Sequence, residues 1–179
     1  RLDLGFEFPF YGATFSEVWL NSDGNLTFDG PDTETTVRDV ARVLSGGGRI
    51  CPLFSDLDPS VPGSTVAVHQ TTSELVVSWL SVPPYTDAGD GVPQTFQVSI
   101  HASGEIAFSY ADVNLNSAVV GLGSGDQIAD ARAVDFSAAP EDVFSSSVIE
   151  VFQDAVLDLA ELSQAFYREF EDAYDFLVI

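Results

Sequence analysis

Short segments in the first two-thirds of the chain alternate hydrophobic and polar residues. In 95–100 (TFQVSI), and again in 105–110 (EIAFSY), every second residue is apolar. A period of two is that of a β-strand, and the glycine-containing HASG between the two segments suits a tight turn. The two segments are therefore predicted to pair as a hairpin with one buried face.

Six further segments have the composition of strands and are separated by turn residues. Segment 74–82 (ELVVSWLSV) is the most continuously apolar and is predicted to be a central strand covered on both faces. Pro9 marks 5–12 as an edge strand, and a helical turn is predicted over 38–44. The other predicted strands are 16–21, 25–30, 64–70 and 117–123. Short, regularly spaced strands without intervening helices are typical of antiparallel sandwiches and barrels.

The pattern changes at about residue 140. Apolar residues then recur at steps of three or four, which predicts an amphipathic helix, and Pro140, Glu141 and Asp142 suit its N-terminus. The positions with this period are Val148, Phe152, Ala155, Leu159, Leu162, Phe166 and Phe170. The apolar YDFLVI (174–179) then predicts a buried strand. The predicted fold is mainly β: an antiparallel β-sandwich or barrel-like domain with a C-terminal amphipathic helix and a final short strand.

This change of pattern predicts three parts. Residues 1–139 form the β domain, 140–172 a helical linker, and 173–179 the truncated first strand of a following domain. The sequence contains no methionine, even at its start. We therefore expect it to be a piece of a longer protein.

The octet NSDGNLTF (21–28) is rich in side-chain oxygens. Asn21, Asp23 and Asn25 match the first positions of an EF-hand calcium loop, but Asp32 stands where that loop needs a bidentate Glu. Asp-Gly between two β-rich runs is instead a strong hairpin signal, because the turn needs residues with positive φ. We therefore predict a hairpin.

A second oxygen-rich stretch is CPLFSDLDPS (51–60). Asp56 and Asp58 are two residues apart, so on an extended strand their carboxylates point the same way. They are the candidate metal ligands, with calcium as the candidate ion, and an acid–base pair is a further interpretation. The structural alternative is that they cap the turn begun by Pro59 and accept backbone N–H bonds.

Charge excludes several classes of partner. Acidic residues number 28 and basic ones 6, all arginine, giving a net charge of −22. Such a surface repels nucleic-acid phosphates and anionic lipid headgroups, and no apolar run is long enough to span a bilayer. Cys51, the sole cysteine, is predicted to be a small buried hydrophobe. His69 and His101 lack metal-ligand spacing, and no serine lies in a GxSxG elbow.

Six motifs in order resemble the nidogen-like (NIDO) extracellular domain over about residues 5–125. They are FPFYG (8–12), VWLNSDGNLTF (18–28), CPLFSDLDPS (51–60), LVVSWLSVPPY (75–85), TFQVSIHASGEIAFSY (95–110) and AVVGLGSG (118–125). The resemblance implies a mostly β, non-enzymatic module of adhesion and matrix proteins and of bacterial secreted proteins. The absence of cysteine pairs departs from animal members and fits a bacterial secreted or surface protein.

The leading functional prediction is a non-enzymatic extracellular accessory or adhesion module, without a cofactor, that recognises a protein or glycan ligand. One alternative is the N-terminal pro- or substrate-positioning region of a secreted hydrolase, such as a peptidase, to which the strand at 174–179 would lead. Another is a calcium-stabilised structural module. The remainder of the parent chain and a second copy, paired through the C-terminal helix, are further predicted partners.

Overall fold

The structure, a computed structural model, describes residues 1–35, 37–127, 131–138, 143–155, 157–170 and 173–179. Its elements in chain order are β1 (Leu2–Phe10), β2 (Ala13–Asn21), β3 (Asn25–Thr27), α1 (Val40–Val43), β4 (Arg49–Phe54), β5 (Thr65–Gln70), β6 (Glu74–Val82), β7 (Gln94–His101), β8 (Ile106–Tyr110), β9 (Ser117–Gly123), a 3₁₀ turn (Gly125–Gln127), β10 (Ala131–Ala133), β11 (Ser147–Gln153), β12 (Ser163–Phe170) and β13 (Ala173–Val178).

The strands form two sheets that enclose one hydrophobic core. The seven-stranded sheet has the order β1-β2-β3-β4-β9-β11-β10, and the six-stranded sheet has the order β13-β12-β8-β7-β6-β5. Strands β10 and β11 pair in parallel, and the other pairings of the described strands are antiparallel. Each sheet has two edge strands among the described residues. The predicted sandwich is therefore confirmed, in preference to a closed barrel.

Period-two segments supply the core from the inner faces of both sheets. In the predicted hairpin of β7 and β8, Val98 lies opposite Phe108, and both side chains are buried. The ring of Trp79 on β6 stacks on that of Phe96, with 4.9 Å between the ring centroids. The Tyr174 hydroxyl donates to the carbonyl oxygen of Pro9 across the sandwich at 3.3 Å.

Strand β6 is not covered on both faces, as its apolar sequence predicted. It is the second strand from the edge of its sheet, and Leu75, Val77, Trp79 and Val82 are its residues in the core. Val76 is partly exposed and Leu80 is 41% exposed on the outer face. A continuous apolar run predicts burial on both faces, whereas this run places aliphatic residues on an open face.

The predicted C-terminal amphipathic helix is wrong, and so is a helical linker over the described part of 140–172. Residues 147–153 form β11, which pairs with β9, and residues 163–170 form β12, which pairs with β8. The β-branched residues in SVIEVFQ favour a strand. The open edge of β9 pairs with the backbone of β11, and the open edge of β8 pairs with the backbone of β12. Asp154 and Glu161 have φ of 54° and 64°, which helices do not accommodate. The proposed N-terminus at 140–142 lies outside the described residues.

The predicted final strand is present as β13. It pairs with β12 and completes the six-stranded sheet, and Tyr174 and Phe176 are each 1% exposed in the core. Residues 173–178 therefore pack with the β domain. The division of the chain at residues 139 and 172, and a following domain, stay predictions.

Candidate functional site: a cleft beside a buried arginine cluster

The octet at 21–28 forms the predicted hairpin. Asn21 pairs with Asn25 across a turn in which Gly24 has φ 70°. The turn is not a solvent-exposed tip, because its backbone bonds to the end of β4: the Ser55 N–H donates to the Asp23 carbonyl at 3.2 Å. A Cβ at Gly24 would lie 2.2 Å from the Leu53 carbonyl oxygen. This close approach requires glycine.

The polar side chains of the hairpin bind the loop that follows it. The Asn21 amide donates to Asn25 Oδ1 at 2.7 Å and to Thr27 Oγ1 at 3.0 Å. Asn21 Oδ1 accepts the Asp32 backbone N–H at 2.9 Å. The Asn25 amide donates to the Asp32 carboxylate at 3.3 Å. Oxygens that matched the start of a calcium loop therefore fix the position of Asp32.

Three of the six arginines meet the carboxylates of this region, and we call Asp23, Asp32, Arg38, Arg42 and Arg49 the arginine cluster. Arg42 Nη2 lies 2.6 Å from Asp32 Oδ1, and Arg49 bonds the other oxygen. Arg38 Nε lies 2.8 Å from Asp23 Oδ2. The side chain of Asp32 is 3% exposed, and those of Arg42 and Arg49 are each 8% exposed.

The cluster is stable only as a paired unit. Burial by itself would raise the pKa of Asp32, but hydrogen bonds from Arg42 and Arg49 outweigh burial and lower that pKa below its usual value. Both guanidiniums also lie over the Phe54 ring, 5.2 Å from its centroid. The guanidinium groups of Arg42 and Arg49 are thus the cations that bind the carboxylate oxygens of Asp32. The result is that the described residues of the loop between Asp32 and α1 are fixed.

This loop and α1 form one wall of a cleft of about 1110 Å³. The other walls are the loop at 84–86 and the neighbouring ends of β9 and β11. Val37, Tyr85 and Val151 face the cleft and are 68%, 56% and 46% exposed. Exposed apolar side chains around one concavity are typical of a binding site.

Asp56 joins two walls of the cleft. Its carboxylate accepts from Arg38 Nη2 at 2.8 Å, and its backbone carbonyl accepts the Tyr85 N–H at 2.7 Å. The Asp56 side chain remains 50% exposed. It can therefore meet a ligand while it positions Arg38 and Tyr85.

Asp58 has different partners from Asp56. Its carboxylate accepts from the hydroxyl and the backbone N–H of Ser60, at 2.5 Å and 2.9 Å, and these bonds lower its pKa. This is the turn-capping alternative. Within the described ranges, no group of three or more His, Cys, Asp or Glu side chains has a metal-binding arrangement. Metal binding by Asp56 and Asp58 stays a prediction.

Cys51 is buried on β4, as predicted, and burial raises the pKa of its thiol to about 12. His69 lies on β5 and His101 at the end of β7, where its Nδ1 is 2.8 Å from Ser103 Oγ. Neither histidine lines the cleft.

Sequence reasoning missed the arginine cluster and the cleft. One signal was available: Arg38, Arg42 and Arg49 fall within twelve residues of an otherwise acidic chain, directly after the acidic segment at 29–34. Val37, Tyr85 and Val151 are far apart in sequence. Only the fold brings them together.

The fold is a β-sandwich domain with a cleft beside one of its sheets. The family model described as "NIDO related" matches residues 1–155, and the chain belongs to that family. The match extends beyond β11 and confirms the resemblance drawn from the motifs at 5–125. No solved structure matches the chain. In the described part of the chain, no helix has the length and hydrophobicity needed to cross a membrane.

Proposed function

We propose that this chain is a non-enzymatic extracellular recognition module that holds its ligand in the cleft. The observation that carries the proposal is the exposure of Val37, Tyr85 and Val151 around one cleft whose wall is fixed by buried ion pairs. A preformed concave site loses little conformational entropy when a ligand binds. Membership of the NIDO-related family supports an extracellular module.

Charge favours one kind of ligand. The net charge is −22, and the carboxylates of Asp39 and Asp56 line the cleft beside the single guanidinium of Arg38. A basic or neutral segment of an extracellular protein is attracted or tolerated there, whereas an acidic one is repelled. The Tyr85 ring adds a face for a cation or for the apolar face of a sugar.

Binding to immobilised extracellular matrix proteins and to a glycan array tests this proposal. Tyr85→Ala combined with Val151→Ser should weaken binding about tenfold or more, because exposed aromatic residues dominate recognition. Val68→Ser is the matched control, since Val68 is also a strand valine, is 42% exposed and lies outside the cleft. Equal binding by wild type and the cleft variant would overturn the assignment of the cleft.

A hydrolysis assay on generic protein and ester substrates tests the non-enzymatic part separately. We expect no turnover that depends on Asp56, whose carboxylate is bound to Arg38. Turnover abolished by Asp56→Asn, with the fold intact, would contradict it. The hydrolase-region and calcium-module alternatives stay predictions. A site occupied at a hundred times its dissociation constant would stabilise the fold by about 2.7 kcal/mol, so a calcium melting series tests the second.

A further inference from the structure

Strand β11 is paired along only part of its outer edge, the edge away from β9. β10 pairs in parallel with its first three residues, and the Val134 N–H donates to the Ile149 carbonyl at 3.0 Å. The chain then leaves this edge, because Phe136 packs against Phe166 of the other sheet, with 5.5 Å between the ring centroids. Among the described residues, none pairs with the outer edge of β11 over 151–153.

The main-chain groups of Val151 and Gln153 point to this open edge. Successive peptide groups of a strand point to opposite sides. The Ile149 carbonyl points to β10, and the Asp154 N–H points the other way and donates to the Asn116 carbonyl at 2.8 Å. Both bonds place the N–H and C=O of Val151 and Gln153 on the side away from β9. Within the described ranges, no backbone group bonds to them.

The open edge lies at the cleft and is reached by solvent. Val151 and Gln153 line the cleft, Val151 is 46% exposed, and Gln153 is also exposed. The Phe136 N–H donates to the Glu150 carboxylate at 2.8 Å, which fixes the point at which the chain leaves β11. The gap is therefore preformed. Unpaired donors and acceptors along a strand edge are a template for a strand of another chain.

We propose that the cleft binds an extended peptide that adds to β11 beside Val151 and Gln153 and continues the line of β10. This inference rests on the proposed function, because it assigns the ligand of the same cleft. A peptide main chain repeats its N–H and C=O groups at about 3.3 Å per residue, which matches the open edge. A glycan has no such repeat and would leave these groups to water.

The cleft also selects among the side chains of the added strand. Neighbouring strands share their faces, so every second peptide residue lies on the same side of the sheet as Val151, where the cleft opens. The carboxylates of Asp39 and Asp56 line the cleft, and the chain has a net charge of −22. A lysine or arginine in that row is therefore favoured, and an acidic residue is repelled.

A second copy of this chain is disfavoured as the occupant. It has the same charge of −22, which opposes association. The dimer interface predicted on a C-terminal helix is wrong, because the described residues of that segment form β11 and β12. A basic segment of another protein meets neither obstacle.

Selection from a displayed library of random short peptides tests the proposal. Peptides enriched by the wild-type chain should carry lysine or arginine and should bind the Tyr85→Ala, Val151→Ser variant more weakly. An enriched peptide is then methylated at one backbone nitrogen at a time. Only alternate N–H groups face β11, so every second methyl group should weaken binding about tenfold or more. Losses without this period of two, or no enriched peptide, would overturn the proposal.

A proline substitution tests the protein side of the same bonds. Val151→Pro removes an N–H donor of the open edge and retains the pairing with β9, because an edge strand tolerates proline where its N–H faces solvent. Binding of an enriched peptide should weaken about fivefold or more. Val151→Ala loses more apolar surface but keeps the N–H, so it should weaken binding less.

Val68→Pro is the matched control and should leave binding unchanged. Val68 lies on the edge strand β5, is 42% exposed and does not line the cleft. Its N–H also points away from the neighbouring strand, because the Thr71 N–H, three residues on, donates to the Glu74 carbonyl beside β6. If Val151→Pro does not fold, the series of methylated peptides decides the matter with the unaltered chain.

The outcomes distinguish this inference from the proposed function. Strand addition is refuted, and the cleft remains the binding site, if Tyr85→Ala with Val151→Ser weakens binding but Val151→Pro acts no more strongly than Val151→Ala. Binding of glycans alone at the cleft has the same consequence. If the Tyr85→Ala, Val151→Ser variant binds as the wild type does, both the inference and the proposed function fail.

Discussion

The guanidinium of Arg42 lies 2.6 Å from the carboxylate of Asp32, and both side chains are more than nine-tenths buried. Asp32→Asn removes the carboxylate that this guanidinium shares with Arg49, and leaves two buried cations short of an anion. The free energy of unfolding should fall by about 3–5 kcal/mol. Urea denaturation measures it.

A surface ion pair supplies the control for this experiment. The Arg1–Glu17 pair is exposed, with side-chain exposures of 65% and 33%. Glu17→Gln should therefore cost less than about 1 kcal/mol. A loss at Asp32 no greater than at Glu17 would contradict a structural role for the arginine cluster. Because the pKa of Asp32 is lowered in the folded state, its stabilisation is present near neutral pH and is lost as the pH falls through that lowered pKa.

Glu150 predicts a pH dependence of the opposite sign. Burial, helped by the charges of Asp158 and Asp135, raises the pKa of Glu150 to about 7, against an accepted N–H bond from Phe136 that lowers it. The folded state therefore holds a proton that the unfolded state has lost between pH 4.5 and about 7. The contribution of this group to stability falls as the pH rises through that window.

Glu150→Gln should make stability independent of this titration. We expect the variant to unfold at the same urea concentration as wild type below pH 4.5. At pH values well above the native pKa it should be more stable by about 1–2 kcal/mol, after discounting for partial exposure. Glu169→Gln, at an exposed strand position, is the control. Equal pH profiles for wild type and Glu150→Gln would refute the prediction.

Gly24 predicts a steric effect at the hairpin that positions the arginine cluster. Gly24→Ala would place its Cβ 2.2 Å from the Leu53 carbonyl oxygen at φ 70°, so stability should fall by more than about 2 kcal/mol. Gly12→Ala has a similar φ of 77° and no atom within 4 Å of the added Cβ. Comparing the thermal unfolding of Gly24→Ala and Gly12→Ala separates the effect of the steric clash from the effect of backbone strain. A smaller loss at Gly24 than at Gly12 would show that the hairpin does not pack against β4 in this way.

Cys51 predicts an unreactive thiol. Burial raises its pKa to about 12, so little thiolate forms in the folded protein. A thiol reagent whose released product absorbs light should modify Cys51 in the native chain only as fast as the fold opens around this residue. The same chain in denaturant, which should release one equivalent at once, is the control. Rapid modification without denaturant would contradict the burial of β4.

Added salt should stabilise the whole fold. With 28 acidic and 6 basic residues, repulsion between like charges outweighs attraction, and screening should stabilise the fold. The urea midpoint should rise between about 0.05 M and about 1 M NaCl, and should rise less at pH 4, where carboxylates are partly protonated. A midpoint that falls with salt would show that ion pairs dominate.

Local patterns were sufficient where each element is encoded in adjacent residues. The β7–β8 hairpin combines a period of two with a glycine turn, and the 21–25 hairpin combines Asp-Gly with flanking β-formers, so both follow from side-chain direction and turn geometry. The short helix at 40–43 and the burial of Cys51 were also predicted.

The same reasoning failed where a second element decides the outcome. A period of three to four in 148–170 predicted a helix, but β9 and β8 offered open edges to β11 and β12. Backbone pairing with strands tens of residues away overrides a local period. The domain division at 139 and 172 rested on that helix.

The sequence by itself determined a mainly β domain, because alternation and turn residues act over a few neighbouring positions. Its ordered motifs indicated the nidogen-like family. Tertiary structure decided that Asp32 meets Arg42 and Arg49, that Val37, Tyr85 and Val151 border one cleft, and that β10 pairs with only the first three residues of β11. The physical reason is that these arrangements depend on strand register and on loop packing between distant residues. No local period carries that information.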